Sequence, residues 1–247
     1  MGKRSAGQVQ AVACRLVGRR LSPARRRLGI TLLVVGLALL ADAGLAVWWQ
    51  EPVSALYAKY AQTALARDLD QAEARSTRER QHERRARKGQ SRASAQEMRA
   101  DAAALKRSVE SGVPLGRIFI ERLNLTAVLV EGASPHALTS GPGHYPKTAL
   151  PGQRGTVGIA GHRTTFSAPF RDIDQLRRGE QVFIRMPYGL FTYEIEGQEI
   201  VSPDRVNVLD KTGEDRLVLT ACHPLHSAAQ RIVVTAKLVS RKSANAS

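Results

Sequence analysis

The sequence predicts a small all-β domain that follows one apolar helix and a polar, helical or disordered stalk. Three observations predict this arrangement. Residues 28–49 form an apolar run of 22 residues with a single charge. Residues 54–107 are rich in Ala, Arg, Gln and Glu and contain no proline. From Gly112 and Pro114 onwards, short β-prone runs alternate with turn residues, which is typical of a sandwich or barrel.

The apolar run 28–49 is long enough to cross a membrane as one helix, since about 20 apolar residues span a ~30 Å hydrocarbon layer. The preceding segment, 1–27, carries eight Lys and Arg residues and no acid. The positive-inside rule therefore predicts a single-pass protein of the cell membrane with a cytoplasmic N-terminus and with everything after Trp49 outside the cell. A cleaved signal peptide is the alternative, but its apolar core usually has about 7 to 15 residues. The length favours an uncleaved anchor.

The segment 50–112 is predicted to be a helical or disordered extracellular stalk. Its good helix formers and pairs such as Glu83 and Arg87 favour a solvated helix. Its apolar residues are too sparse for sustained heptads, which argues against a long coiled coil. A solvated spacer is the expected role. The alternative is that its basic cluster, 75–99, lies on anionic polymers of the cell envelope.

The formal net charge of +15 raises the question of a nucleic-acid partner. Most of the basic residues lie outside the predicted folded core, with clusters in segments 1–27 and 75–99. No RNP-like aromatics, Cys/His finger spacing or helix-turn-helix pattern accompanies them. The sequence therefore predicts no nucleic-acid binding.

The predicted β domain spans residues 113–240 and is followed by a short C-terminal tail, 241–247. Brief helical candidates lie near 135–138 and 169–176. Seven runs are predicted as strands: 115–120, 127–130, 156–160, 181–186, 191–195, 216–220 and 231–239. This many short strands in about 130 residues indicates an all-β sandwich or barrel.

The chain has two cysteines, Cys14 and Cys222. The predicted topology puts Cys14 in the cytoplasm, so Cys222 is the thiol expected outside and has no partner for an intramolecular disulfide. Such a cysteine is either a small buried hydrophobe or a thiol kept for chemistry.

Two further residues at strand ends suit a thiol that acts as a nucleophile. A thiolate needs a base or cation nearby, and acyl chemistry needs a group that stabilises an oxyanion. His162 follows the apolar run 156–160 and is the candidate base, while Arg231 begins the last predicted strand. Each residue alone is more typical of a structural role. Together with Cys222 they predict a nucleophile, an acid/base and an anion stabiliser in one small domain.

At these residues the sequence resembles the sortases, cysteine transpeptidases of the bacterial cell surface, and class E most closely. The resemblance covers about residues 114 to 240. The matching blocks are Gly143-His144-Tyr145-Pro146, Ala149-Leu150-Pro151-Gly152-Gln153, Ala160-Gly161-His162-Arg163-Thr164-Thr165, Ala168-Pro169-Phe170-Arg171 and Leu219-Thr220-Ala221-Cys222-His223-Pro224. The resemblance implies an eight-stranded β-barrel and a catalytic triad of His162, Cys222 and Arg231. It implies no organic cofactor and no established metal requirement.

The family signature Thr-Leu-x-Thr-Cys falls on residues 218–222, where Val218 and Ala221 replace both threonines. Thr220 is present, as in class E. The predicted substrate-binding residues are Tyr145, Thr220 and Ala221, with simple packing as the alternative for Tyr145. The missing hydroxyl at position 221 is expected to affect signal preference or rate.

Two of the other histidines, His144 and His226, are predicted to be loop residues. No carboxylate or cysteine spacing around them supports a metal site. His223 directly follows the cysteine and is expected to point to the opposite side of the strand, so a role as base is not predicted for it.

The resemblance implies cleavage of a C-terminal sorting signal between Thr and Gly through a thioester. The signal is of the Leu-Pro-x-Thr-Gly type, typically Leu-Ala-x-Thr-Gly in class E. The expected partners are sorting-signal peptides of secreted surface proteins and a peptidoglycan precursor or another amine acceptor.

Two alternatives to this function stay open. One is an L,D-transpeptidase, against which Ala221 and the gap between Cys222 and Arg231 argue. The other is a catalytically silent domain that binds sorting-signal peptides or assists surface assembly.

Overall fold

The computed structural model describes residues 23–48, 52–86 and 95–244. Cys14, the basic residues before Pro23, the stalk residues 87–94 and the last three residues of the predicted tail lie outside the described residues. The helices are α1 (Pro23–Trp48), α2 (Pro52–Ala86), α3 (Ala95–Ser108) and α4 (Pro135–Leu138). The strands are β1 (Pro114–Ile120), β2 (Leu125–Glu131), β3 (Gly143–His144), β4 (Thr156–Ala160), β5 (Gln181–Met186), β6 (Gly189–Val201), β7 (Arg216–His223) and β8 (Gln230–Ser243).

Helix α1 contains the predicted membrane span. Its segment Pro23–Gly44 has a mean hydropathy of 1.7, and by length and composition it is able to cross a membrane. Within the described ranges it is the one helix with this property. This agrees with the single membrane anchor predicted for residues 28–49.

The eight strands close into a β-barrel, in the order β1-β2-β3-β4-β7-β8-β6-β5. Most neighbours are antiparallel, but β2 pairs with β3 and β4 pairs with β7 in parallel. The parallel β4–β7 pair brings the ends of two strands that are distant in sequence to the same rim of the barrel, and this pair builds the site described below.

The seven predicted strands are all present, whereas β3 was not predicted. It has only two residues and pairs with β2 and β4, so no alternating pattern marks it. Strand β7 is three residues longer than expected and ends at His223, which places Cys222 inside a strand. A paired strand supplies hydrogen bonds to the backbone of Cys222 and therefore holds it more firmly than a loop would.

The barrel interior is filled by alternate residues of its strands, as the period of two in a half-buried strand requires. In β7, Leu217, Leu219 and Ala221 belong to this core. The largest buried side chains include Phe170, Phe191 and Tyr193. On the opposite face of β7, Val218 packs with Val201 and Val233 in a separate, smaller cluster.

Helix α2 lies against the outside of the barrel, which differs from the solvated spacer expected for this segment. Ala58 and Leu69 are each 1% exposed. Between them, Gln62 donates to the carbonyls of Val128 and Ser140 and accepts from the backbone N–H of Val128 at 2.7 Å. These residues form one stripe along the helix, but only part of it is apolar. A search for apolar periodicity therefore misses this contact face.

Candidate active site

Cys222 and Arg231 are direct partners across the antiparallel pair β7–β8. Directly opposed residues of two antiparallel strands project their side chains from the same face of the sheet. Cys222 is half-buried and is a free thiol. The guanidinium Nη1 of Arg231 donates to the carbonyls of Ala228 and Gln230, both at 2.9 Å. A guanidinium has further donors on Nε and Nη2, so these two bonds leave it able to bind an oxyanion.

His162 follows the end of β4, the strand that pairs with β7 in parallel. Ala160, the last residue of β4, is paired with Thr220 of β7, and the N–H of Gly161 donates to the carbonyl of Thr220 at 3.0 Å. Two residues beyond this pair are His162 on one chain segment and Cys222 on the other. His162, Cys222 and Arg231 therefore lie on three adjacent chain segments at one rim of the barrel.

Thr220 and Tyr145, two predicted substrate-binding residues, are joined by a hydrogen bond of 2.9 Å between the tyrosine and threonine hydroxyls. Thr220 is on the same face of β7 as Cys222, because the two are separated by one residue. The backbone N–H of Tyr145 donates to the carbonyl of Gly158 in β4. This places Tyr145 over the strands that carry the candidate triad.

Ala221 lies away from this group. It is 4% exposed and belongs to the barrel core, on the face of β7 opposite Cys222. The expectation that it contacts substrate is corrected here, because β7 continues through position 221 and strand alternation turns its side chain inwards. A threonine hydroxyl at this position would enter the core rather than the groove beside the thiol.

The side chain of His162 is half-buried. Its Nε2 is buried and has no hydrogen-bond partner among the described residues. Its ring centroid lies 5.2 Å from that of Phe166. Burial lowers the pKa of His162, because the charged imidazolium loses more hydration than the neutral ring does. The neutral form of His162 is therefore favoured in this conformation.

The loop that holds Phe166 against His162 is itself held by the start of helix α2. The backbone N–H of Phe166 donates to the Ser54 hydroxyl, and the Ser167 hydroxyl donates to the carbonyl of Ala55, both at 3.2 Å. The ring of Tyr57 meets Phe166 edge-on at 6.5 Å. Phe166, Ser167 and Ala168 all have left-handed backbone angles, with φ of 51°, 62° and 41°. Each such angle in a non-glycine residue costs about 1 kcal/mol, which the surrounding contacts offset.

Sequence reasoning missed both Phe166 and the first turn of α2 as parts of the site. The available signal was Phe166, a single aromatic residue in a polar loop soon after His162. The local sequence of this loop is Thr164-Thr165-Phe166-Ser167. No local pattern signals that residues 54–57 reach this loop, since more than 100 positions separate them in the chain.

The other histidines have structural positions. His144 was predicted to be a loop residue, but it lies in β3, is 1% exposed and has its Nδ1 2.7 Å from a carboxylate oxygen of Glu131. The prediction failed because β3 is too short to show a pattern. His226 lies in the loop before β8, as expected. No group of three or more His, Cys, Asp or Glu residues able to hold a metal ion occurs in the part of the chain that the structure describes.

Comparisons with known proteins point to one family. The family model described as "Sortase domain" matches residues 118–239, which include all three members of the candidate triad. The solved structure of sortase E from Streptomyces avermitilis is 32% identical, with a TM-score of 0.51, and the match covers 56% of this chain and 95% of that one. The chain belongs to the sortase family. The eight-stranded barrel that the resemblance implied is thereby confirmed.

Two further sortases are informative. Sortase D of Bacillus subtilis is 33% identical over 134 residues, which cover 53% of this chain and 66% of that protein. Sortase E1 of Streptomyces coelicolor, solved with a tripeptide in its active site, is 28% identical with a TM-score of 0.52, and the match covers 53% of this chain and 91% of that one. This sortase spans less than two thirds of the length of the curated relatives it matches.

Proposed function

We propose that this sortase is a membrane-anchored cysteine transpeptidase. In this proposal it cleaves a sorting signal between Thr and Gly and transfers the new carboxyl end to an amine. The observation that supports the proposal is that Cys222 lies directly opposite Arg231 across β7 and β8, while His162 follows the end of β4, the strand beside β7. These residue types supply a nucleophile, an oxyanion stabiliser and a proton carrier.

In the first step, the thiolate of Cys222 attacks the carbonyl carbon of the signal threonine. Arg231 donates hydrogen bonds to the oxyanion that develops on the carbonyl oxygen. When the intermediate collapses, the bond from the carbonyl carbon to the glycine nitrogen breaks, and the imidazolium of His162 gives its proton to the leaving amine. The product is a thioester between Cys222 and the threonine.

In the second step, an acceptor amine attacks the thioester carbonyl and the carbon–sulfur bond breaks. Neutral His162 takes the proton that the amine loses, and the sulfur leaves as thiolate. The imidazolium and thiolate of the starting state are thereby restored. Because burial lowers the pKa of His162, only a small fraction of molecules holds this charged pair at neutral pH, and slow turnover is expected.

The proposed substrates are extended peptides of the Leu-Ala-x-Thr-Gly or Leu-Pro-x-Thr-Gly type. The tripeptide in the active site of the Streptomyces coelicolor protein supports peptide binding at this rim. The proposed acceptor is an amine of a cell-wall precursor. The basic residues before α1 support a cytoplasmic N-terminus and an extracellular barrel.

A catalytically silent, peptide-binding domain is the second candidate function. The closed position of Phe166 over His162 favours it, because Nε2 of His162 has no access to a substrate proton in this conformation. Replacement of the signature threonine by Ala221 adds less support, since this side chain lies in the core.

The test is transpeptidation by the full-length protein in detergent micelles, with a fluorescent Leu-Ala-x-Thr-Gly peptide and triglycine as acceptor. The proposal expects a triglycine adduct whose formation is abolished in Cys222→Ala, and a thioester detected by mass spectrometry when triglycine is omitted. A Leu-Pro-x-Thr-Gly peptide in parallel measures signal preference. Tight peptide binding without adduct or thioester would instead establish the silent domain.

A further inference from the structure

Behind the candidate triad, the two residues that directly follow His162 and Cys222 also meet. The Nη1 of Arg163 lies 3.3 Å from Nδ1 of His223. Arginine has no acceptor, so the guanidinium donates and Nδ1 of His223 accepts without a proton of its own. His223 is the last residue of β7 and projects from the face opposite Cys222.

Arg163 is 3% exposed, and each of its three guanidinium nitrogens has a separate partner. Besides the bond to His223, Nε donates to the carbonyl of Arg171 at 3.0 Å, and Nη2 forms an ion pair with Asp174 at 3.0 Å. The backbone adds a further tie, from the N–H of Phe170 to the carbonyl of His162 at 3.0 Å. Arg163 thus connects the loop that contains His162 to the end of β7.

This connection lies where the backbone ladder stops. Strand β4 ends at Ala160, and the last backbone bond towards β7 runs from Gly161 to Thr220. His162 and Cys222 lie beyond that bond, so the β4–β7 ladder does not set the spacing between them. The bond from Arg163 to His223 joins the same two chain segments one residue further on.

We infer that Arg163 and His223 form a clamp that positions His162 against Cys222, which makes both of them positioning residues for the reaction. The inference rests on the proposed function for its effect on turnover, but the contact itself stands on the geometry above. A displacement of about 1 Å between reacting groups can cost 10²-fold in rate, so loosening the clamp is expected to lower kcat by at least about tenfold.

The variants separate the clamp from a general loss of folding. Arg163→Lys keeps the charge but loses the forked donors. His223→Asn keeps an acceptor at the place of Nδ1, whereas His223→Gln moves its amide to the place of Nε2 and removes that acceptor. Arg178→Lys is the matched control, because Arg178 is exposed on the same loop region.

Two measurements are made on each variant in a Cys14→Ser background, which leaves Cys222 as the single thiol. One is kcat and KM for transpeptidation. The other is the rate at which iodoacetamide alkylates Cys222, which needs no peptide and reports how well His162 supports the thiolate. Thermal midpoints check that the variants are folded at the assay temperature.

For Arg163→Lys and His223→Gln, the clamp predicts that kcat falls at least about tenfold with little change in KM. For His223→Asn, it predicts that kcat falls less than about threefold. Alkylation of Cys222 should slow in the first two and not in His223→Asn or Arg178→Lys. Equal behaviour of His223→Asn and His223→Gln, or unchanged alkylation in Arg163→Lys, would overturn the clamp. If the parent protein shows no turnover, the proposed function is overturned but the clamp is not. The alkylation rates of the variants then test the clamp by themselves.

Discussion

Cys222 faces Arg231 directly across β7 and β8, while the guanidinium is held by the carbonyls of Ala228, just before β8, and Gln230, the first residue of β8. The arginine is therefore placed beside the thiol by strand register and oriented by the loop that precedes its own strand. A carboxylate partner would offset its charge, but two neutral carbonyls leave that charge available for an oxyanion.

Replacing this guanidinium should lower catalysis without unfolding the protein. Arg231→Ala removes the group proposed to bind the oxyanion, and the loss of one such donor typically costs about 10²–10³ in kcat. Arg231→Lys keeps the charge but not the fork, and should recover part of the loss. Steady-state kinetics on the Leu-Ala-x-Thr-Gly peptide measures both. Gln230→Ala, at the exposed neighbouring position, is the control, and an Arg231→Ala variant with parental kcat would remove Arg231 from the mechanism.

Uncovering His162 should change the pH dependence of the reaction. Burial lowers the pKa of His162, so Phe166→Ala, which admits water to the ring, should raise that pKa towards its ordinary value. The acidic limb of kcat/KM, which follows His162 in the proposed thiolate–imidazolium form, should then move to higher pH. A larger imidazolium fraction should also raise the rate at neutral pH.

The measurement for this prediction is a pH–rate profile for the parent, Phe166→Ala and Phe166→Leu, with leucine as a control that keeps most of the apolar cover. An acidic limb at the same pH in all three proteins would show that Phe166 does not set the hydration of His162.

The hydroxyls of Tyr145 and Thr220 should be energetically coupled. Thr220→Val and Tyr145→Phe each remove one partner of a 2.9 Å hydrogen bond at a largely buried site, and each should lower the free energy of unfolding by about 1–2 kcal/mol. The double variant should lose clearly less than the two losses added together, because the bond is broken only once. Urea denaturation of the four proteins measures the coupling. Strictly additive losses would show that the bond contributes nothing to stability.

The contact between helix α2 and the barrel should contribute measurably to stability. Gln62 bonds to both backbone groups of Val128 and to the carbonyl of Ser140. Gln62→Ala leaves these groups without their partners and should cost about 1–3 kcal/mol. Gln71→Ala, an exposed glutamine on the same helix, should change stability by less than about 0.5 kcal/mol. Equal unfolding midpoints for the two variants would show that α2 does not pack on the barrel in solution.

The strands and the apolar helix α1 were predictable because their signals are local. A period of two in β1 or β5 reflects burial of one face, and it is visible without knowing what covers that face. The length of the apolar run in α1 is likewise visible without knowing what surrounds the helix, and it is sufficient to span a membrane. The candidate triad could be proposed from the sequence in part, since strand ends often carry chemistry and a cysteine without a disulfide partner, such as Cys222, is either buried or reactive.

The remaining features depend on contacts between segments that are distant in the chain. The inward turn of Ala221 depends on how far β7 continues, and the burial of His144 depends on a two-residue strand. The first turn of α2 contacts the loop at Phe166, although more than 100 positions separate them in the chain.

Local composition and periodicity therefore determine the barrel class and the apolar helix α1, because each of these follows from burial or apolar length within one element. Closure of the barrel decides which groups meet. It sets the register of β4 on β7, covers His162 with Phe166 and joins Arg163 to His223, and no neighbour in sequence carries that information.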